Sequence, residues 1–278
     1  MSPIDKYNRR ADKASSLLCV GLDSELEKLP AKFRKKKNPQ FEFNKWIIAQ
    51  THEHVASYKL NIAFYEQRGD RGLRELKLTM DYLRKKHPDI FTICDAKRGD
   101  IGNTNRGYID EIFDWLGFDA MTTHPYLGKE SLMPILERAD KVSIPQCRTS
   151  NPGSGDLQDL KVGKEPLWAI VARKVSREWN FNNNCMLVVG ATYPREMKKI
   201  REIAGDMTFL VPGIGAQGGN VKDVVGAGII GSSEGVSASG GKGLIIHSAR
   251  GIIFSDNPGK AALDLKNEIN RHIAKRFL

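Results

Sequence analysis

No apolar run in this 278-residue chain approaches the length of a membrane span, none of its four cysteines forms a Cys-x-x-Cys pair, and no composition shift or long linker divides it. The first absence leaves no candidate transmembrane helix. The second argues against a zinc ribbon or a disulfide framework. Cys19, Cys94 and Cys147 sit within or at the ends of apolar strand-like runs and Cys185 immediately precedes one, a pattern of buried reduced thiols in a cytoplasmic protein. Met1-Ser2-Pro3-Ile4-Asp5-Lys6 lacks the apolar core of a signal peptide and carries an acid early, so export is not expected. His52-Glu53-His54 has the wrong spacing for two ligands on one helical face, and no metal site is expected there.

Charge of one sign is in surplus: 43 Lys and Arg against 33 Asp and Glu give a formal +10. Such an excess raises the question of nucleic acid, whose phosphates clustered cations neutralise. The clusters Arg34-Lys35-Lys36-Lys37, Arg84-Lys85-Lys86 and Lys198-Lys199-Ile200-Arg201 are scattered, however, and lack the interleaved aromatics of a single-strand platform. Solvated helix faces explain them, and nucleic-acid binding is not expected as the main role.

What the chain does have is alternation. Eight short apolar runs read as strands: Leu17 to Gly21, Val55 to Leu60, Ile90 to Ala96, Ala120 to Thr123, Val142 to Gln146, Met186 to Gly190, Phe209 to Pro212 and Leu244 to His247. Between them lie helix-period segments, among them Phe43 to Thr51, Gly72 to Lys86, Thr104 to Leu116, Ser131 to Arg138, Trp168 to Trp179 and Glu196 to Ala204. Repeated βα units of this number predict an α/β protein, a closed (β/α)8 TIM barrel, as a single domain over residues 1–278 with helical decoration from Pro3 to Ser15.

Active sites of such barrels lie where strands end and βα loops begin. The polar residues fall there: Asp23 after the first strand, Lys59 and Asn61 at the second, Asp95, Lys97 and Asp100 at the third, His124 after the fourth, Arg148-Thr149-Ser150-Asn151 after the fifth. Asp95 and Lys97, two apart on a strand, share a face. A surface ion pair worth little is the bland reading of any Asp-x-Lys, but surface pairs would not gather on one rim. Gly213, Gly215 and Gly218 satisfy G-x-G-x-x-G after the seventh strand, the wrong place for a dinucleotide fingerprint and the usual place for a barrel phosphate site. Arg250, after the eighth, supplies a cation for a phosphate dianion.

These residues resemble the orotidine 5′-monophosphate decarboxylase family, the last step of UMP synthesis, most nearly the bacterial branch with Asp-Ala-Lys-Arg-Gly-Asp. The carriers are Leu22-Asp23, Lys59-Leu60-Asn61, Asp95 to Thr104, Thr149-Ser150-Asn151-Pro152-Gly153, Pro212 to Gly219 and Ser248-Ala249-Arg250-Gly251. The resemblance implies a charge network of Lys59, Asp95, Lys97 and Asp100, with Asp100 and Thr104 given to the neighbouring subunit of a homodimer. It further implies that Asp23 and Thr104 hold ribose hydroxyls, Ser150 and Gln217 address the pyrimidine and phosphate region, Arg250 clamps the phosphate, and Asn61 and Gly215 also line the substrate site. Orotidine 5′-monophosphate and UMP are the implied ligands.

Decarboxylation at a pyrimidine C6 leaves a carbanion without an adjacent sink, so the site must stabilise charge and deliver a proton. Lys97, kept charged by carboxylates, suits both tasks. No metal or organic cofactor is called for. The alternatives are a magnesium-dependent phosphosugar decarboxylase or synthase of the same superfamily, which lacks the Thr149 to Gly153 loop and the Gln217 arrangement, or a basic nucleic-acid-binding module. His247 stands where relatives more often carry Asn, and is not expected to touch the catalytic set.

Overall fold

The computed structural model describes residues 3–215, 218–230 and 242–277. Eight parallel strands close into a barrel: β1 (Leu18–Gly21), β2 (Ser57–Asn61), β3 (Phe91–Arg98), β4 (Ala120–Thr123), β5 (Val142–Arg148), β6 (Leu187–Val189), β7 (Phe209–Val211) and β8 (Leu244–Ser248). Each pairs with its sequence neighbours and β8 returns to β1, Cys19 lying opposite Ser57 on one side and His247 on the other. The strands are short and apolar because barrel strands are buried on both faces, by the interior and by the helical ring. Leu18 to Val20, Leu187 to Val189 and Leu244 to Ile246 are accordingly buried end to end.

The helices follow their apolar stripes. In Gly69–Lys86 the residues Leu76, Met80 and Leu83 recur at helical spacing and pack on the barrel, and Pro88 follows the end. The helices Pro39–Thr51 and Pro194–Ala204 each open on proline, whose missing N–H costs nothing in a first turn. Two expected helices change pitch. Thr104 to Leu116 is an α-helix to Ile109 and a π-helix over Asp110–Trp115, and Trp168 to Trp179 turns π at Val175–Trp179. The wider turn, marked by Leu116 N–H donating to Glu111 O at 2.8 Å, brings Ile112, Phe113 and Leu116 all into the core.

Strands β3 and β5 run two residues further than their apolar runs predict, since each continues past a register shift and pairs through the polar residues Arg98 and Arg148. The connection from β5 to β6 also contains a small antiparallel pair, Lys161–Val162 with Glu165–Pro166, that no periodicity reveals. The longest helix, Pro258–Phe277, closes the chain. The Gly231 to Gly241 segment lies outside the described residues. All four cysteines are free and buried.

The expected amino-terminal decoration is helix Pro3–Ala14, and it acts as a plug across the starting ends of four strands. The Tyr7 hydroxyl donates to the Leu244 carbonyl at 2.5 Å, Arg10 Nε donates to Val55 O at 3.0 Å, and the Tyr7 ring meets Phe91 edge-on. Lys6 pairs with Asp119, which also accepts from Thr92 N–H and hydroxyl ahead of β4. Tyr7→Phe is expected to lower stability by about 1 kcal/mol in denaturant unfolding. Turnover should be unaffected, because the plug is at the end of the barrel remote from the polar rim; an equal loss of activity would contradict that separation.

Candidate active site

Asp95 is the hub of the site. One of its oxygens accepts from Lys59 Nζ at 2.8 Å, and the other from Lys97 Nζ at 2.5 Å and from the Thr122 hydroxyl at 3.0 Å. Lys59 also faces Asp23 at 3.7 Å, so the order along the floor is Asp23, Lys59, Asp95, Lys97. Burial pushes the Asp95 carboxyl up, yet the charges and hydrogen bonds of the two lysines outweigh it and hold the group well below the usual carboxylate range. Burial likewise opposes the charge on Lys59, which is 3% exposed, and Asp23 and Asp95 outweigh it and raise its pKa. Both groups are therefore charged at neutral pH.

Lys97 reaches Asp95 by a less regular route than simple alternation. Its backbone is left-handed, with φ of 49°, at the register shift between Cys94 and Arg98, and its N–H donates to the Thr122 hydroxyl at 3.0 Å. A non-glycine residue in this region is strained by about 1 kcal/mol or more, and here the strain aims a half-exposed ammonium into the barrel mouth. Thr122 thus supports both partners of the Asp95–Lys97 pair. Nothing in Ala120-Met121-Thr122-Thr123 marks it in the sequence, because it reads as an ordinary strand residue.

Asp23, Lys59, Asn61, Asp95, Lys97, Ser150, Gly215 and Arg250 all line one cleft of about 340 Å³, walled by Val188, Leu210, Pro212 and Ile214. The Asp23 carboxylate accepts from the Asn61 N–H at 3.2 Å, and Asn61 in turn accepts from Ala63 N–H. Across from this row, Gly213 takes φ of 106°, a turn that only glycine makes freely, and Gly219 N–H closes back on its carbonyl at 3.1 Å. Arg250 is exposed at the cleft mouth, with no ion pair among the described residues. Gln217 lies outside the described residues.

Asp100 and Thr104 are not brought to this cleft. Asp100 is held on the rim, its N–H donating to Asn105 Oδ1 at 3.0 Å and its carboxylate accepting from Ile101 N–H at 2.7 Å, while Thr104 is exposed on the helix Gly102–Ile109. Buried Asn105 ties this turn to the Asp100 and Ser131 carbonyls. His124, expected on the rim, does not line the cleft and packs beside Gly99.

Sequence reasoning also missed the frame of the Thr149 to Asn151 loop. Arg148, 2% exposed, lies over the Tyr193 ring at 3.8 Å and donates to Ser154 Oγ, Gln158 Oε1 and Asp159 Oδ2. Gln158 then accepts from Thr149 N–H at 2.9 Å and donates to its hydroxyl at 2.8 Å. A strand-end arginine followed by polar residues looks like a ligand group; burial turns it into a brace.

Fold and site together define a (β/α)8-barrel enzyme with a lysine–carboxylate row on one side of a closed-floor cleft and a glycine turn with an arginine, suited to a phosphate ester, on the other. The chain belongs to the orotidine 5′-phosphate decarboxylase / HUMPS family, whose model matches residues 16–265. It is 42% identical to the orotidine 5′-phosphate decarboxylase of Cellvibrio japonicus, over 97% of this chain and 98% of that one. With the orotidine 5′-phosphate decarboxylase of Christiangramia forsetii it shares 44% identity over 90% and 88%. Among solved structures, OMP decarboxylase of Leishmania donovani superposes with a TM-score of 0.85 at 38% identity, covering 99% of this chain and 100% of that one.

Asp95→Asn leaves Lys59 buried with only the more distant Asp23 as counter-charge, and is expected to cost ~3 kcal/mol at neutral pH. Because the Asp95 pKa is depressed on folding, its stabilisation is present above the unfolded carboxylate value and is lost as pH falls below about 4. The stability gap between wild type and variant should therefore narrow on acidification. A gap that stayed constant from neutral to acid pH would contradict the assignment.

Proposed function

We propose that this protein converts orotidine 5′-monophosphate to UMP by decarboxylation at C6, in de novo pyrimidine synthesis, as a cytoplasmic enzyme of one barrel domain. The observation that carries the reading is the pair of ammonium groups on the single Asp95 carboxylate, facing the glycine turn and Arg250 across one cleft. The family's description names two activities, and the curated relatives at 42% and 44% identity carry the decarboxylase name.

In this mechanism the phosphate is held by the Gly213 to Gly219 loop, including Gly215, and by Arg250. Asp23 and Asn61 meet the ribose side, and Ser150 with Gln217 meets the pyrimidine and phosphate region. Binding energy from the phosphate, remote from the bond that breaks, orients the ring. The C6–carboxylate bond then breaks, carbon dioxide departs, and the electron pair stays on C6. Lys97 stabilises that developing charge as a cation and passes its proton to C6. In this reading Asp95 repels the departing carboxylate; it also accepts from Lys97, and Lys59 favours its ionised form.

Purified protein should change the ultraviolet absorbance of orotidine 5′-monophosphate in excess chelator. Absence of turnover would sink the cofactor-free decarboxylase reading. Lys97→Ala should lower turnover by about 10³-fold or more while leaving binding of a UMP analogue largely intact. Near-normal rates would remove Lys97 from the proton-donor role.

We further propose a homodimer with shared sites. Asp100 and the exposed Thr104 do not line their own cleft, and Ile101 and Tyr126 are 58% and 79% exposed, apolar surface that a second copy would cover. Lys97→Ala and Asp100→Asn proteins, each weakly active alone, should recover about a quarter of wild-type turnover when subunits are exchanged, because one site in each mixed dimer regains both residues. Failure to recover despite demonstrated exchange would assign Asp100 to its own subunit.

A further inference from the structure

His247 lines the cleft but belongs neither to the charge row nor to the phosphate turn. It lies on β8, next to β1, and is 8% exposed. Its Nε2 is fully buried and has no hydrogen-bond partner among the described residues. The ring fits only because residue 21 on β1 is glycine: a Cβ there would come within 2.5 Å of Nε2. The charged groups around it are Lys59 on β2 and Asp95 and Lys97 on β3, and burial together with the Lys59 charge keeps the imidazole neutral.

A neutral imidazole carries one donor and one acceptor nitrogen. Leaving such a group buried and unsatisfied is unfavourable, so an unpaired one in a purely structural position would be better replaced by an aliphatic side chain. β8 places its ring in the cleft that the charge row also lines, on the strand that leads directly into Arg250.

We propose that His247 is a substrate-positioning residue whose free ring nitrogen hydrogen-bonds the nucleoside portion of the bound nucleotide, between the phosphate held at Arg250 and the reacting C6. This rests on the decarboxylase reading. A nucleoside has hydroxyl, carbonyl and N–H groups able to pair with either nitrogen of a neutral imidazole. The ring takes no part in proton transfer, since Lys97 already faces the departing carboxylate.

The test compares His247→Leu with His247→Gln, whose amide carries a donor and an acceptor to the place of Nε2. His247→Leu should raise KM for orotidine 5′-monophosphate and the Kd for UMP by about tenfold, with a smaller effect on kcat, and leave inhibition by inorganic phosphate unchanged. Thermal unfolding of the unliganded His247→Leu protein should be unchanged or shifted upward, because an unsatisfied polar group has been removed. His247→Gln should restore KM and UMP affinity to within about threefold of wild type. Unchanged UMP affinity in His247→Leu overturns the proposal, as does an equal loss in both variants, which would indicate shape and not hydrogen bonding. Failure of His247→Leu to fold, or a marked drop in its Tm, also overturns it, by making the imidazole structural. If wild-type protein neither turns over the substrate nor binds UMP, it is the decarboxylase reading that fails, independently of His247.

Discussion

The Asp95 carboxylate holds two ammonium groups at once, and the rest of the cleft is organised around that arrangement. Lys59 is buried and is kept charged by Asp23 and Asp95 together, and Asp95 also holds Lys97 at the barrel mouth. A buried ion pair contributes less to stability than its Coulomb energy suggests, because desolvation offsets most of the gain. Its value here is positional: with both carboxylate oxygens occupied, two ammonium groups are held at defined places in the cleft.

The backbone accepts local strain to achieve this. The left-handed conformation at Lys97 and the register shift in β3 put an ammonium where a regular strand would not, and Thr122 on β4 bonds both the Lys97 backbone and the Asp95 side chain. On the other side, the Thr149 to Asn151 loop is braced from beneath by Arg148, Tyr193 and Gln158. Functional groups on loops are thus fixed by buried polar contacts, while the scaffold below is held by apolar strands and the Pro3–Ala14 plug.

The two ends of the barrel divide the work. At the end where the strands begin, Tyr7, Arg10 and Lys6 satisfy carbonyls and a carboxylate around the rim, and the interactions are structural. At the other end, polar groups are left facing the cleft: Arg250 without an ion pair among the described residues, and His247 with a buried free nitrogen. An exposed cation at the cleft mouth and a buried ring nitrogen below it are both groups that a ligand in the cleft can pair with.

Sequence alone determined the barrel and most of the row. Eight apolar runs separated by helical periods admit few other architectures, and Asp23, Lys59, Asp95, Lys97 and Arg250 fall at strand ends, where the fold collects polar side chains. Tertiary structure alone decided what depends on neighbours distant in the chain. Thr122 belongs to the site because β4 lies beside β3; Arg148 is a brace because Tyr193 covers it; His247 faces the charge row because β8 closes on β1 at a glycine. The same limit explains the π turns and the bulge at Lys97. Periodicity records which side of an element is buried, but not what packs against it, and it is the packing partner that turns a polar residue into a ligand group, a brace or an unpaired donor.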